Sequence, residues 1–157
     1  MPILIVNNTT FNYPDPGQEP GWGEDATAWA EAVTEALNFL IAPGDIINST
    51  AGIQNNVSSP TDVSGCVFDG SVTRAANITY QIVRSSDDLT TPIVEEGSLL
   101  LNYNPSGVWT LTQQYSGDEV GVLFSITNSG QVRYTSSNVT GANYSGIIKF
   151  SARTLPQ

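Results

Sequence analysis

Asn77-Ile-Thr-Tyr-Gln-Ile-Val-Arg84 sets Ile78, Tyr80 and Ile82 at every second position, with Asn77, Thr79 and Gln81 between them. Successive side chains of a strand point to opposite faces, so a period of two predicts a half-buried β-strand. Similar short runs, rich in β-branched and aromatic residues, occur at 46–50, 63–68, 93–103, 108–115, 120–127, 131–136 and 147–153. Trp109 and Leu111 repeat the alternation, and Asn128-Ser-Gly130 has the composition of a hairpin turn. Gly, Pro, Asn, Asp and Ser separate the runs, a pattern that predicts a mainly β chain. The expected body, residues 45–157, is an antiparallel β-sandwich or a jelly-roll-like arrangement. The Asn/Ser/Thr-rich stretch from Asn48 to Val63 reads as a long loop.

Upstream the pattern changes. Ile3 to Val6 is a strand-forming run, and Asn7-Asn8-Thr9-Thr10 reads as a break. Residues 11–23 hold three prolines and three glycines. Proline lacks a donor and restricts the residue before it, so helix and central strand are excluded there. Residues 1–23 therefore read as an extended N-terminal arm. Phe11, Tyr13 and Trp22 are interleaved in it with Pro14, Pro16 and Pro20. A plain linker has no use for aromatics, which are enriched at interfaces, so these six residues are candidate contacts to a capsid or another subunit. Residues 24–44 read as one helix, with Asp25 as N-cap and Pro43-Gly44 as its stop. Trp29, Val33, Leu37 and Leu40 recur at helical spacing along it. Such a stripe either seals the chain's own sheet or packs on a partner subunit.

Charge narrows the partners. Met1 to Thr73 holds nine acids and no base, a net charge of −9; the remaining six acids and five bases give −1. A chain this acidic is repelled by phosphate backbones and anionic membranes, which argues against nucleic acid and membrane and for a neutral or basic protein partner. The absence of histidine removes Ser-His-Asp and Cys-His pairs and most zinc sites. Cys66 is the single cysteine, so no internal disulfide forms, and it reads as a small buried apolar residue. No phosphate-binding glycine loop or EF-hand spacing occurs. Glu24-Asp25, Asp87-Asp88, Glu95-Glu96 and Asp118-Glu119 are adjacent acids. Neighbours in a strand face opposite ways, so none of the doublets supplies both carboxylates of a glycosidase. The expectation is a chain that is not an enzyme and uses no cofactor and no metal. Its first residues, Met-Pro-Ile-Leu-Ile-Val-Asn7, lack the basic region and cleavage-like site of a signal peptide, so folding inside a cell is expected.

Two segments carry a family resemblance. Phe11-Asn-Tyr-Pro-Asp-Pro-Gly-Gln-Glu-Pro-Gly-Trp-Gly-Glu-Asp-Ala-Thr-Ala-Trp-Ala30 resembles the N-terminal segment of structural proteins of tailed-phage particles. Gly121-Val-Leu-Phe-Ser-Ile-Thr-Asn-Ser-Gly-Gln-Val-Arg-Tyr-Thr-Ser-Ser137, with Tyr144-Ser-Gly-Ile-Ile-Lys-Phe-Ser-Ala-Arg153, resembles a β-module of those proteins. The resemblance implies a virion component, assembled in the host cytoplasm and often trimeric. Its N-terminal part would dock to the major capsid protein or another virion protein while the β-body projects outward. A decoration or cement protein and a tail-fibre or head-fibre component with a receptor- or glycan-binding domain would share both segments. No heptad run or fibrous repeat follows the helix, which favours the compact capsid ornament. For the fibre alternative, the sign would be exposed aromatics in the loops after Tyr103 or Tyr144.

Overall fold

The computed structural model describes residues 3–6, 9–12, 26–34 and 44–157. The chain divides into two compact units, Met1–Ala42 and Pro43–Gln157. In the first, β1 (Ile3–Val6) and β2 (Thr9–Asn12) form an antiparallel pair with Val6 opposite Thr9 and Ile3 opposite Asn12. Thr9 and Thr10, expected in a break, are thus strand residues. Threonine and phenylalanine suit a pleated strand, and pairing with β1 supplies the backbone partners that an isolated segment lacks. Residues 26–34 form helix α1. The remainder of the expected 24–44 helix, with Leu37 and Leu40, lies outside the described residues.

The second unit is the expected sandwich. Its strands are β3 (Ile46–Gly52), β4 (Val57–Val67), β5 (Thr73–Ser85), β6 (Ile93–Tyr103), β7 (Trp109–Gly117), β8 (Val122–Ile126), β9 (Gln131–Ser136) and β10 (Ser145–Pro156). One sheet has the order β3-β10-β5-β6-β7 and the other β4-β9-β8, and every pairing is antiparallel. The chain changes sheets through four connections, 53–56 between β3 and β4, 68–72 between β4 and β5, 118–121 between β7 and β8, and 137–144 between β9 and β10. Ile78, Tyr80 and Ile82 face inward as their alternation requires, beside Leu99 and Leu101 of β6 and Ile148 and Phe150 of β10. Val63, Val122, Val132 and Tyr134 come from the smaller sheet into the same core. Burying each such side chain is worth about 1.5–3 kcal/mol. Cys66 is 2% exposed, and burial pushes its thiol up to about 12, so it is a protonated, inert core residue at neutral pH.

The long loop expected from Asn48 to Val63 is instead mostly strand, since β3 runs to Gly52 and β4 begins at Val57. Pro60 fits because β4 is an edge strand of its sheet, where a missing N–H need cost no ladder bond. The register also shifts between Val57 and Thr61. The expected hairpin turn is present: Gly130 N–H donates to Thr127 O at 2.9 Å, and Thr127 N–H to Gln131 O at 3.0 Å. Gly130 sits at φ 81° against the Phe68 carbonyl, where a side chain has no room.

Gly97 is required by packing. It lies directly opposite Tyr80, whose ring lies across it, so an added Cβ would meet the Tyr80 hydroxyl at 2.6 Å and the Gln114 carbonyl still closer. Gly97→Ala is expected to lower unfolding free energy by about 1–3 kcal/mol. Gly52→Ala, with nothing within 4 Å of the added Cβ, should stay within about 0.5 kcal/mol of the parent. Denaturant titration of the two variants checks the contrast.

Candidate functional site

Four connections meet at one end of the sandwich: 53–56, 86–92, 118–121 and 137–144. They are organised by Arg84, which continues the alternation of Ile78, Tyr80 and Ile82 into the core and is 0% exposed. Among the described residues no carboxylate pairs with it. All five of its N–H groups instead find neutral acceptors. Nε donates to the Tyr144 hydroxyl at 2.9 Å. Nη1 donates to Val120 O and to Ser137 Oγ. Nη2 donates to Asn55 Oδ1 at 3.0 Å and Ser137 O at 2.6 Å. The Tyr144 hydroxyl itself donates to Ile53 O at 3.0 Å, and Asn55 bonds both N–H and C=O of Val139. Desolvating a cation costs several kcal/mol, which this complete set of charge-assisted bonds offsets.

A second buried polar group, Glu95, lies on the other side of the Val120 peptide, whose N–H bonds its carboxylate. The Tyr80 hydroxyl donates to Glu95 Oε1 at 2.8 Å. Desolvation raises the Glu95 carboxyl above its ordinary value, with a further push from the Glu119 charge. Raised carboxyls suit general acids, but this one is 1% exposed. Glu96, its neighbour in sequence, faces the opposite side and accepts from Gln81 Nε2 at 2.7 Å.

These contacts rigidify the loop end. Ser86 Oγ donates to Thr140 O at 2.6 Å, Asp87 N–H to Ala142 O at 3.0 Å, and Asn143 Nδ2 to Asp87 Oδ2 at 2.8 Å. Asp87, Asp88, Asp118 and Glu119 are exposed around it, so the surface is acid-rimmed and suited to a neutral or basic partner. Among the described residues no group of three His, Cys, Asp or Glu side chains is placed to hold a metal ion. A second polar surface is a shallow groove of about 410 Å³ on the outer face of the five-stranded sheet, lined by Asn48, Thr79, Gln81, Glu96, Lys149 and Ser151. Its amides and hydroxyls can hydrogen-bond a polar ligand.

Of the residues singled out from the sequence, Phe11 is in β2 opposite Leu4. Trp29 is on α1 and 43% exposed, and Val33 is half-buried on the same helix. Tyr13, Pro14, Pro16, Pro20, Trp22, Leu37 and Leu40 lie outside the described residues. The loop aromatics are not free binding groups: Tyr144 serves Arg84, and Tyr103 packs on Trp109 at 5.0 Å and over Gly70. Arg84 and Glu95 were missed, although period-two counting from Ile82 and from Leu99 places both inward.

No protein-family model matches the chain, and no curated protein matches it in sequence. Solved structures do. The tailspike protein of Acinetobacter phage vB_ApiP_P1 aligns at 15% identity and a TM-score of 0.39, over 71% of this chain and 20% of that one. The tailspike protein gp49 of Acinetobacter baumannii bacteriophage Fri1 aligns at 12% identity and 0.38, over 76% and 21%. The chain thus spans about a fifth of each neighbour's length. Both are described as phage tailspike proteins. The gp49 protein is described as a capsular polysaccharide depolymerase, so the expectation that the chain is not an enzyme is corrected and does not stand.

Arg84→Ala, which strands three segments' acceptors in the core, is expected to cost about 3–5 kcal/mol. Arg84→Lys should recover only part of that, because three donors cannot replace a five-donor fork; thermal melts of both variants measure it. Glu95 has the opposite sign to most acids. Its folded-state pKa is raised, so its contribution is complete below the ordinary value of 4.5 and is lost as pH rises through the folded value. Glu95→Gln should flatten that decline in a series of melts from pH 4 upward, and an unchanged slope would contradict the assignment.

Proposed function

We propose that the chain is a structural protein of a tailed-phage particle, a decoration or cement protein that binds the head shell through its N-terminal unit and displays its sandwich outward. The observation that carries this reading is the division into two compact units at Ala42/Pro43. The sandwich has a complete core of its own. The smaller unit holds the exposed Trp29, and its six acids are unopposed by any base. An aromatic on an acidic surface suits a neutral or basic protein partner such as a capsid subunit. The resemblance of residues 11–30 to docking segments of virion proteins supports the same division of labour. A tail- or head-fibre component would use the same two-part organisation at a different place on the particle.

Electron microscopy of particles with and without the gene locates the protein. Loss of density across the head lattice is expected, whereas an intact head lacking an appendage would move the assignment to fibre or spike. In the same system, a chain lacking residues 1–42 should retain its β circular dichroism and no longer bind particles. Undiminished binding by that truncation would sink the anchoring role of the first unit.

A further inference from the structure

The sandwich has four strand edges, and three of them are blocked. In β3 the ladder is broken between Phe150 and Ala152 of its partner, and Asn48 takes a left-handed φ of 48°. In β4 Pro60 and Asp62 sit on a strand whose register shifts twice. In β8 the Gln113 side chain acts as a substitute strand: its Oε1 accepts from Phe124 N–H at 3.2 Å and its Nε2 donates to Val122 O at 3.2 Å. Bulges, prolines, charges and covered backbone are the devices that keep sheet edges from pairing.

β7 has none of them. Trp-Thr-Leu-Thr-Gln-Gln-Tyr-Ser-Gly117 carries no charge and no proline, and pairs with β6 over nine consecutive positions without a shift. Asn104 N–H bonds Val108 O and Asp118 N–H bonds Val94 O, so the even-numbered residues of β7 face β6. Antiparallel geometry then turns the N–H and C=O of Trp109, Leu111, Gln113 and Tyr115 outward, where no described residue bonds them. Tyr115 at this rim is 52% exposed, although its side of the sheet is core elsewhere.

We infer that β7 is an interface strand that pairs antiparallel with β7 of a second copy of this chain about a two-fold axis at Gln113. That register joins outward-facing residues with outward-facing residues, as an antiparallel ladder requires. It sets Leu111 of one copy against Tyr115 of the other and uses the full length of both strands. β7 is uncharged throughout, so two chains of net −10 can pair along it with no acid set against another on the paired strands. The outer faces would join into one hydroxyl and amide ladder, with Thr112 opposite Gln114 and Thr110 opposite Ser116. This inference is independent of where the protein sits on a particle.

Cross-linking of the full-length chain tests it. Thr112 and Gln114 are exposed on the outer face, and in this register they form a non-hydrogen-bonded pair at disulfide distance. Cys66 is buried and does not compete. The parent is expected to sediment at twice its 16.7 kDa mass. Mild oxidation of mixed Thr112→Cys and Gln114→Cys chains should give a disulfide-linked dimer, while either variant alone should give little. A monomeric or trimeric parent would overturn the proposal. So would a dimer whose mixed variants, with parental circular dichroism, fail to cross-link, since that places the interface or a foreign strand elsewhere.

Discussion

The loop end of the sandwich depends on one guanidinium. Arg84 is fully enclosed and has no carboxylate partner among the described residues, so its folded state is tolerable only if every N–H finds an oxygen. The oxygens come from Asn55, Val120, Ser137 and Tyr144, which belong to three connections far apart in sequence. Moving any one of them strands a donor on a buried cation, so their positions are coupled. β10 can slot between β3 and β5 because the segment that delivers it is held at both Ser137 and Tyr144.

The same economy governs the seam where β7 and β8 face each other across the two sheets. Gln113 donates to the Tyr80 hydroxyl at 3.1 Å and pairs with the β8 backbone, linking the Glu95 network to the small sheet. One side chain thus satisfies a core hydroxyl and closes the β8 edge, while leaving the backbone of its own strand open. That asymmetry separates β7 from the other three edges.

Function follows from how these features are distributed. The aromatics near the loops, Tyr103, Trp109 and Tyr144, are consumed by internal packing and hydrogen bonds. What the sandwich leaves to partners is therefore an acid-rimmed loop end, a polar sheet face and one open strand edge. In the other unit Trp29 is exposed on α1, which is where the proposed attachment rests.

Sequence alone determined the β class, the eight body strands apart from the bounds of β3 and β4, and the inward face of β5, because period-two alternation and turn residues are local signals. It also determined the state of Cys66, because a lone cysteine without a basic neighbour has little to do but fill space. It misread Asn48 to Val63 as loop, since polar strand residues become ordered only when a partner strand takes up their hydrogen bonds. It passed over Arg84 and Glu95 because a charge on the core face contradicts composition-based burial. Only the tertiary structure supplies acceptors from distant loops that make such burial stable. Which edge stays open was likewise decided by tertiary structure, because an edge is defined by the strands that end up beside it.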